Sequence, residues 1–259
     1  MNRDLRLTGI TVRFGGLTAV DDVSLVARAG EVTGLIGPNG AGKTTTFNAT
    51  TGVVPITTGS VELGGRRIDG LSTAARAELG LGRTFQRMEL FDSMTVRENV
   101  ALGPEMRQAG RSTWTHLFAP AAERREVRER TEDALSVCGL RPVADVRTGE
   151  LSTGQRRLVE LARALASRFD LLLLDEPSSG LDPMETGRFI EILQSMVETY
   201  GTGLLVVEHD IALVRELCTS LYVLDFGKLI ASGPAREVLG SEIVRAAYLG
   251  SEAVEEAVS

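Results

Sequence analysis

Residues 37–44 have the types and the spacing that bind a chain of phosphates. They match the pattern G-x-x-x-x-G-K-[ST] and are followed by Thr45. Glycines let backbone N–H groups turn toward a phosphate, and the helix expected to follow adds the positive end of its dipole. Lys43 is expected to reach the β- and γ-phosphates and Thr44 to offer its hydroxyl to Mg²⁺. The alternative is a strand-to-helix turn that binds nothing. The predicted binding residues are Gly37, Pro38, Asn39, Gly40, Ala41, Gly42, Lys43, Thr44 and Thr45.

Two adjacent carboxylates supply the second half of a phosphoryl-transfer site. Asp175 and Glu176 directly follow the apolar run Leu171 to Leu174. We expect Asp175 to hold Mg²⁺, directly or through a water, and Glu176 to orient or polarise the attacking water. Such a pair alone is typical of a solvated strand end, but it gains weight beside the phosphate loop. ATPases, GTPases and small-molecule kinases all remain open at this point.

Four short apolar runs predict the sheet that positions these residues. Because they are apolar at every position, they are typical of parallel strands covered by helices on both faces. Helical periodicity lies between them, for instance at Leu158, Leu161, Ala162 and Leu165. The pattern favours an α/β domain. The runs are Val32 to Ile36, Leu171 to Leu174, Leu204 to Val207 and Leu221 to Leu224.

The segment from Met88 to Ala166 contains no convincing buried strand and predicts an interposed helical region. Its stretch AAERREVRERTED has the mixed charge of a solvated helix. The neighbouring stretch 103–120 mixes Gly, Pro, polar residues and the only Trp, and its pattern does not decide its conformation.

Composition and charge narrow the function classes. The chain has 259 residues, of which 43% are hydrophobic and 24% charged, which is ordinary for a globular protein. Its net charge of −7 argues against general nucleic-acid binding. Cys138 and Cys218 lie outside any C-x-x-C pattern, and neither a signal peptide nor an apolar run of membrane-spanning length is present. We therefore expect a cytoplasmic protein that reaches membranes only through protein partners.

A five-residue motif separates the chain from other nucleotide hydrolases. Residues 151–155, LSTGQ, resemble the LSGGQ signature of ABC ATPases, stand some 20 residues before Asp175 and lead into the stretch RRLVELARAL. Ser152, Gly154 and Gln155 would form a second anion site at a helix N-terminus, and the resemblance implies that its phosphate belongs to ATP held by the opposite subunit. Thr153 replaces the usual glycine. An ordinary Ser N-cap explains the motif too and is compatible with this role.

The resemblance covers roughly residues 5–250 and implies roles for four further residues. Phe14 would stack on adenine, although alone it would be read as a core residue. Gln86, in GRTFQ, would sense Mg²⁺ and the γ-phosphate. Asp182, which ends Ser179-Gly180-Leu181-Asp182, would cross a dimer interface, and His209 would contact the γ-phosphate.

The same resemblance implies the architecture. The expected fold is a RecA-like P-loop NTPase of the α/β class, with a parallel sheet core, an N-terminal antiparallel β subdomain and an inserted α-helical subdomain. Residues 1–87 and 167–240 would form the nucleotide-binding core, 88–166 the helical subdomain and 241–259 a tail.

Within ABC ATPases the chain most resembles the longer ATPase subunit of branched-chain amino acid importers. The stretches FGGLTAVDDVSL, LFDSMTVRENV, VVEHDIALV and AYLG carry this likeness. It implies that the chain hydrolyses ATP to power uptake and that it lies at the inner face of the membrane. The implied partners are integral membrane permease subunits, a second ATP-binding subunit (a copy or a paralogue) and, indirectly, a solute-binding protein.

Other functions remain open. Relatives that serve urea, short amides or lipid export share much of the pattern. A soluble ABC ATPase, such as one serving iron–sulfur assembly, would have the same fold. A P-loop kinase or GTPase would need an acceptor site or an N-K-x-D element that the sequence does not display, and a silent regulatory subunit would not need its full catalytic set.

Overall fold

The computed structural model describes residues 3–84, 90–109 and 121–247. In chain order its strands are β1 (Leu5–Phe14), β2 (Leu17–Ala27), β3 (Val32–Ile36), β4 (Thr58–Leu63), β5 (Arg66–Arg67), β6 (Leu81–Arg83), β7 (Leu171–Asp175), β8 (Gly203–Val207), β9 (Ser220–Asp225) and β10 (Lys228–Pro234). Its helices are α1 (Lys43–Thr51), α2 (Thr73–Glu78), α3 (Val96–Ala109), α4 (Ala121–Val137), α5 (Thr153–Ser167), α6 (Pro183–Tyr200), α7 (Ile211–Leu217) and α8 (Ala235–Gly240). Residues 242–247 are also helical.

A six-stranded sheet forms the centre, in the order β10-β9-β3-β8-β7-β6. All neighbours are parallel except β10, which pairs antiparallel with β9 through a tight turn. The four apolar runs of the sequence are β3, β7, β8 and β9, so the predicted parallel core is confirmed. Each residue of β3, β7 and β8 is buried, as strands covered on both faces require.

The sheet separates two hydrophobic cores because successive side chains of a strand point to opposite faces. Leu172 and Leu174 of β7 belong to the core that the helices α5, α6 and α7 complete. Leu171 and Leu173 belong to the other core, which includes Phe47 of α1 and the smaller sheet.

The smaller sheet is antiparallel, with the order β2-β1-β4-β5. Its strands come from the first 67 residues, which confirms the expected N-terminal antiparallel part of the fold. It covers the face of the central sheet on which α1 lies, and its strands β1 and β2 contact that helix.

Helices α3, α4 and α5 pack against one another. In the sequence they lie between β6 and β7 of the central sheet. The charged stretch predicted as a solvated helix forms most of α4, and only Thr131, Ala134 and Leu135 of that helix are buried. Residues 85–89 and 110–120 lie outside the described residues, so the proposed division at 88–166 stays a prediction. None of the described helices is both long enough and apolar enough to cross a membrane.

Candidate functional site

Three neighbouring parallel strands, β3, β8 and β7, end at the same edge of the sheet. β3 leads into the glycine-rich loop, β7 ends in Asp175 and β8 is followed by Glu208 and His209. Ligands of open α/β sheets bind at the carboxyl ends of the strands, and here the topology brings the predicted loop and both predicted acids to that edge.

The loop takes a shape that its glycines permit. Gly42 has φ 100° and caps α1, and a Cβ there would lie 2.7 Å from the carbonyl oxygen of Ala19. A Cβ on Gly37 would overlap the carbonyl of Leu224. Backbone of β2 and β9 therefore presses on the loop from two sides, and glycine is the residue that fits.

The ammonium group of Lys43 lies within the loop. Its Nζ donates to the carbonyl oxygens of Gly37 at 2.6 Å and Pro38 at 2.8 Å. Burial lowers the pKa of Lys43, while the negative charges of Glu176 and Asp175 act in the opposite direction. The loop thus encloses a cation at the first turn of a helix, which is an arrangement that attracts phosphate oxygens.

Asp175 is buried at the end of β7, and its two carboxylate oxygens differ. Oδ2 accepts a hydrogen bond from Nη2 of Arg83 at 2.9 Å, whereas Oδ1 has no hydrogen-bond partner among the described residues. Burial raises the pKa of Asp175, and the hydrogen bond and charge of Arg83 oppose that effect. A buried oxygen without a partner fits a metal ligand, because an unsatisfied buried acceptor is otherwise costly.

The donor set suits Mg²⁺ in particular. The described residues contain no cluster of three His, Cys, Asp or Glu side chains that could hold a metal ion by themselves. Mg²⁺ does not need such a cluster, since it is usually bound by one or two protein oxygens together with phosphates and waters. Oδ1 of Asp175 and the exposed hydroxyl-bearing residue Thr44 would supply those protein oxygens.

Glu176 has a left-handed backbone, with φ 48°. Its N–H donates to the carbonyl oxygen of Val207 at 2.9 Å, which ties the turn after β7 to β8. Its side chain lines an open depression of about 520 Å³ together with Lys43, while Asp175 remains buried. The two acids therefore face different surroundings. The other lining residues are Leu17, Thr18, Ala19, Asn39, Gly40, Ala41, Gly42, Thr44, Thr45, Phe226 and Gly227.

The depression includes residues that the sequence analysis missed. Phe226 is 88% exposed, and it lies in the turn after β9, the strand next to β3. Its position directly after an apolar strand was visible in the sequence. That it lines the depression depends on β9 lying beside β3, which the sequence does not reveal. Phe14 is half exposed and does not line the depression, whereas Leu17, its partner across the β1–β2 hairpin, does.

The signature motif begins α5. Ser152 is the N-cap: its Oγ accepts from the N–H of Gln155 at 3.2 Å, and Oε1 of Gln155 accepts from the N–H of Ser152 at 3.1 Å. The N-cap interpretation is therefore confirmed. Ser152 and Thr153 are exposed and Gly154 is buried. None of these residues lines the depression at Lys43.

The remaining predicted residues lie at other turns. Asp182 is the exposed N-cap of α6 and accepts a hydrogen bond from the N–H of Glu185 at 2.8 Å. His209 is exposed after β8, and its N–H donates to Oε2 of Glu208 at 3.2 Å. Neither Asp182 nor His209 lines the depression. Gln86 lies outside the described residues.

Glu208 was not anticipated from the sequence. It is fully buried, and its Oε1 accepts from the N–H of Ser178 at 3.0 Å and from its Oγ at 2.7 Å. It therefore fixes the turn that follows Glu176 against the segment that carries His209. A Glu directly after an apolar strand was visible, but nothing in the sequence revealed that it is buried.

A glycine-rich loop around a lysine, with two acids at the ends of adjacent parallel strands, defines the nucleotide-binding core of a P-loop hydrolase. Comparisons with known proteins make this class more specific. The sequence pattern of the ABC transporter family matches residues 20–179. The chain therefore belongs to the ABC transporter family, as an ATPase of the ATP-binding cassette type.

Relatives and solved structures match nearly the whole chain. The branched-chain amino acid transport ATP-binding protein LivG of Salmonella typhimurium is 38% identical over 95% of this chain and 97% of its own length. The ADP conformation of MJ1267, an ATP-binding cassette of an ABC transporter, has a TM-score of 0.83 at 32% identity and covers 96% of this chain and 99% of its own. A dimeric post-hydrolysis structure of the cassette MJ0796, bound to ADP and phosphate, has a TM-score of 0.75 at 26% identity and covers 90% and 99% of the two chains.

Proposed function

We propose that the chain is the ATP-hydrolysing subunit of an importer for branched-chain or closely related amino acids. Similarity to LivG along 95% of the chain supports the transported class. The transported amino acid would not contact this subunit. ATP hydrolysis would instead cause a conformational change that is transmitted to integral membrane permease subunits. A solute-binding protein would deliver the amino acid to those permeases, and the chain would lie on the inner face of the membrane through them.

One observation supports a site shared by two chains. The phosphate loop is exposed at Asn39, Gly40 and Thr44, and the other turn is exposed at Ser152 and Thr153. Yet no residue of 152–155 lines the depression around Lys43. Each is half of an anion site and needs a complementary half. In the proposed dimer, with a copy or with a paralogue, each ATP would be bound between the loop of one subunit and Ser152, Gly154 and Asp182 of the other.

Within that dimer the residues of this chain would divide the chemistry. Lys43 and the loop N–H groups would bind the β- and γ-phosphates, and Phe14 would stack on the adenine. Glu176 would orient the attacking water, and His209 would hold the γ-phosphate. Thr44 and Asp175, with Gln86 from the segment after β6, would hold Mg²⁺, which when bound neutralises phosphate charge. Release of phosphate would let the subunits separate.

The test uses a strain that lacks the gene for this chain. Wild-type protein should restore uptake of radiolabelled leucine and should co-purify with permease subunits. Glu176→Gln should co-purify equally and bind ATP, but should restore no uptake, because its side chain no longer carries the charge that orients water. If wild-type protein restores uptake of urea or an amide and not of leucine, the proposed solute class is wrong. If Glu176→Gln hydrolyses ATP at the wild-type rate, the role of Glu176 is wrong.

A further inference from the structure

Arg83 is a buried side chain that joins three elements near the site. It is the last residue of β6, and its Nη2 donates to Oδ2 of Asp175, at the end of β7, at a distance of 2.9 Å. Its Nη1 donates to Oδ1 of Asn48 at 2.6 Å on α1, and its guanidinium lies 5.7 Å from the ring centre of Phe47. The ion pair with Asp175 is almost completely buried, with side-chain exposures of 9% and 1%.

We propose that Arg83 is a positioning residue for Mg²⁺: it holds Asp175 by Oδ2 and leaves Oδ1 for the metal ion. This inference rests on the proposed function, in which Asp175 and Thr44 contribute to Mg²⁺ binding. Arg83 itself would not touch the metal ion or the nucleotide.

The second arm of Arg83 extends this control to the other predicted ligand. Asn48 follows Thr44 by four residues on α1, so the two lie one above the other on the same face of the helix. A single guanidinium therefore connects the helix that carries Thr44 with the strand that carries Asp175. Because Mg²⁺ requires nearly ideal octahedral geometry, the spacing between its ligands has to be fixed closely.

Arginine suits this task better than lysine does. Its planar fork can donate in two directions at once, as it does here to a carboxylate and to an amide oxygen, and its face can lie over an aromatic ring. A lysine at position 83 would keep the positive charge, but all its donors are on one nitrogen, whereas Arg83 reaches Asn48 and Asp175 with two different nitrogens. In such a variant Asp175 would lose the hydrogen bond that orients its carboxylate, while a positive charge would still lie nearby.

Arg83 also stands at the entrance to the segment that contains Gln86. The N–H of the next residue, Thr84, donates to the carbonyl oxygen of Leu173 at 2.9 Å, which fixes the end of β6 to β7. A displacement of β6 would therefore move the group that orients Asp175. The metal site and the start of this segment are mechanically linked through one side chain.

Arg76 provides a matched control. It is buried and also anchors α1, by donating to the carbonyl oxygens of Ala49 at 3.0 Å and Thr50 at 2.6 Å. Its other hydrogen bonds go to the carbonyl oxygens of Leu71 and Asp69. Arg76 holds the C-terminal end of α1, more than one turn beyond Thr44. Of the two arginines, only Arg83 contacts the predicted metal ligand Asp175.

The experiment titrates Mn²⁺ into full-length protein saturated with the ATP analogue AMP-PNP and follows bound Mn²⁺ by electron paramagnetic resonance. Affinity for AMP-PNP without metal, in EDTA, is measured in parallel. Arg83→Lys should bind Mn²⁺ about 10-fold more weakly, as is common when a residue that orients a ligand is replaced, and should bind metal-free AMP-PNP as the wild type does. Arg76→Lys should leave both affinities unchanged.

A folded Arg83→Lys variant with unchanged or higher Mn²⁺ affinity would overturn the inference, and so would an equal loss in Arg76→Lys. If Arg83→Lys does not fold, Asn48→Ala removes only the second arm; it should weaken Mn²⁺ binding by a smaller factor, and an unchanged affinity would count against the proposal. Wild-type protein that binds no AMP-PNP, or binds it without any Mn²⁺, would instead contradict the proposed function itself.

Discussion

The carboxylate of Glu185 occupies the space that a Cβ on Gly154 would need. Oε2 of Glu185 also accepts a hydrogen bond from the N–H of Asp182 at 3.1 Å, which closes the cap of α6. The starts of α5 and α6 carry the two segments proposed to reach the partner's nucleotide, and they are thus in contact through Glu185 and Gly154.

Gly154→Ala should therefore reduce the free energy of unfolding modestly, by about 0.5–1 kcal/mol, because the new methyl group displaces the flexible Glu185 side chain from its hydrogen bond with the N–H of Asp182. Urea denaturation measures this loss. Gly187→Ala is the control, since Gly187 lies within α6 with nothing near the position of an added Cβ. That variant should gain up to about 1 kcal/mol from helix propensity.

Shortening Glu185 should remove much of the penalty at Gly154. We expect the double variant Gly154→Ala/Glu185→Ala to be more stable than the sum of the two single changes predicts, with a coupling of about 0.5–1 kcal/mol. Strictly additive losses in the same denaturation experiments would show that the two residues do not constrain each other.

Glu208→Ala should lower both stability and ATP turnover. The change leaves the N–H and Oγ of Ser178 without their buried acceptor, at a cost of about 1–3 kcal/mol. Turnover should fall because Ser178 follows Glu176 by two residues and the loop would lose its anchor. Glu216→Ala, at an exposed position of α7, is the control and should change stability by less than about 0.5 kcal/mol. Full turnover in Glu208→Ala would mean that the loop is held in place without this acid.

The central sheet could be predicted because its strands are short, uniformly apolar and followed by glycine or acidic residues. Leu171–Leu174 and Leu204–Val207 show this pattern, and the observed strands differ from it by one residue. The antiparallel pairing of β10 was not anticipated, since its residues are only partly buried and carry no apolar run.

The side chains that connect distant segments could not be predicted. Arg83 and Asp175 are 92 positions apart, and their pairing depends on β6 and β7 becoming neighbours. Glu185 lies in an ordinary first helical turn, and only the packing of α6 against α5 places its carboxylate at Gly154. Local motifs therefore predict the groups proposed to contact the nucleotide, whereas the residues that hold those groups emerge only from the fold.

The two cysteines should make the protein less stable in alkali. Burial raises the pKa of both Cys138 and Cys218 from 9.0 to about 12. Between these values the unfolded chain loses the thiol protons while the folded chain retains them, so stability is fully present below pH 9 and falls as the pH rises. The expected slope is about 1.4 kcal/mol per pH unit for each cysteine.

Urea denaturation at several pH values from 8 to 11 checks this expectation. The variant Cys138→Ala/Cys218→Ala should be less stable at pH 8 but should lose stability more slowly as the pH rises. Equal slopes in the two proteins would show that the thiols do not titrate differently on unfolding. The comparison of slopes is needed because tyrosines and lysines of both proteins titrate in the same range.

Ser152→Asp should separate the capping role of Ser152 from its proposed role at the partner's ATP. Aspartate is as good an N-cap as serine and its charge suits a helix N-terminus, so the free energy of unfolding should stay within about 0.5 kcal/mol of the wild type. The same charge would face the γ-phosphate across the proposed dimer and repel it. In a Glu176→Gln background, where ATP is retained, association measured by light scattering should therefore be lost, while each subunit still binds ATP at its own loop.

Ser152→Gly is the companion variant, because replacing this N-cap by glycine costs only a few tenths of a kcal/mol and adds no charge. Its association should be weakened and not abolished. If Ser152→Asp associates as tightly as its parent, Ser152 is a helix cap alone, and the nucleotide is bound without it.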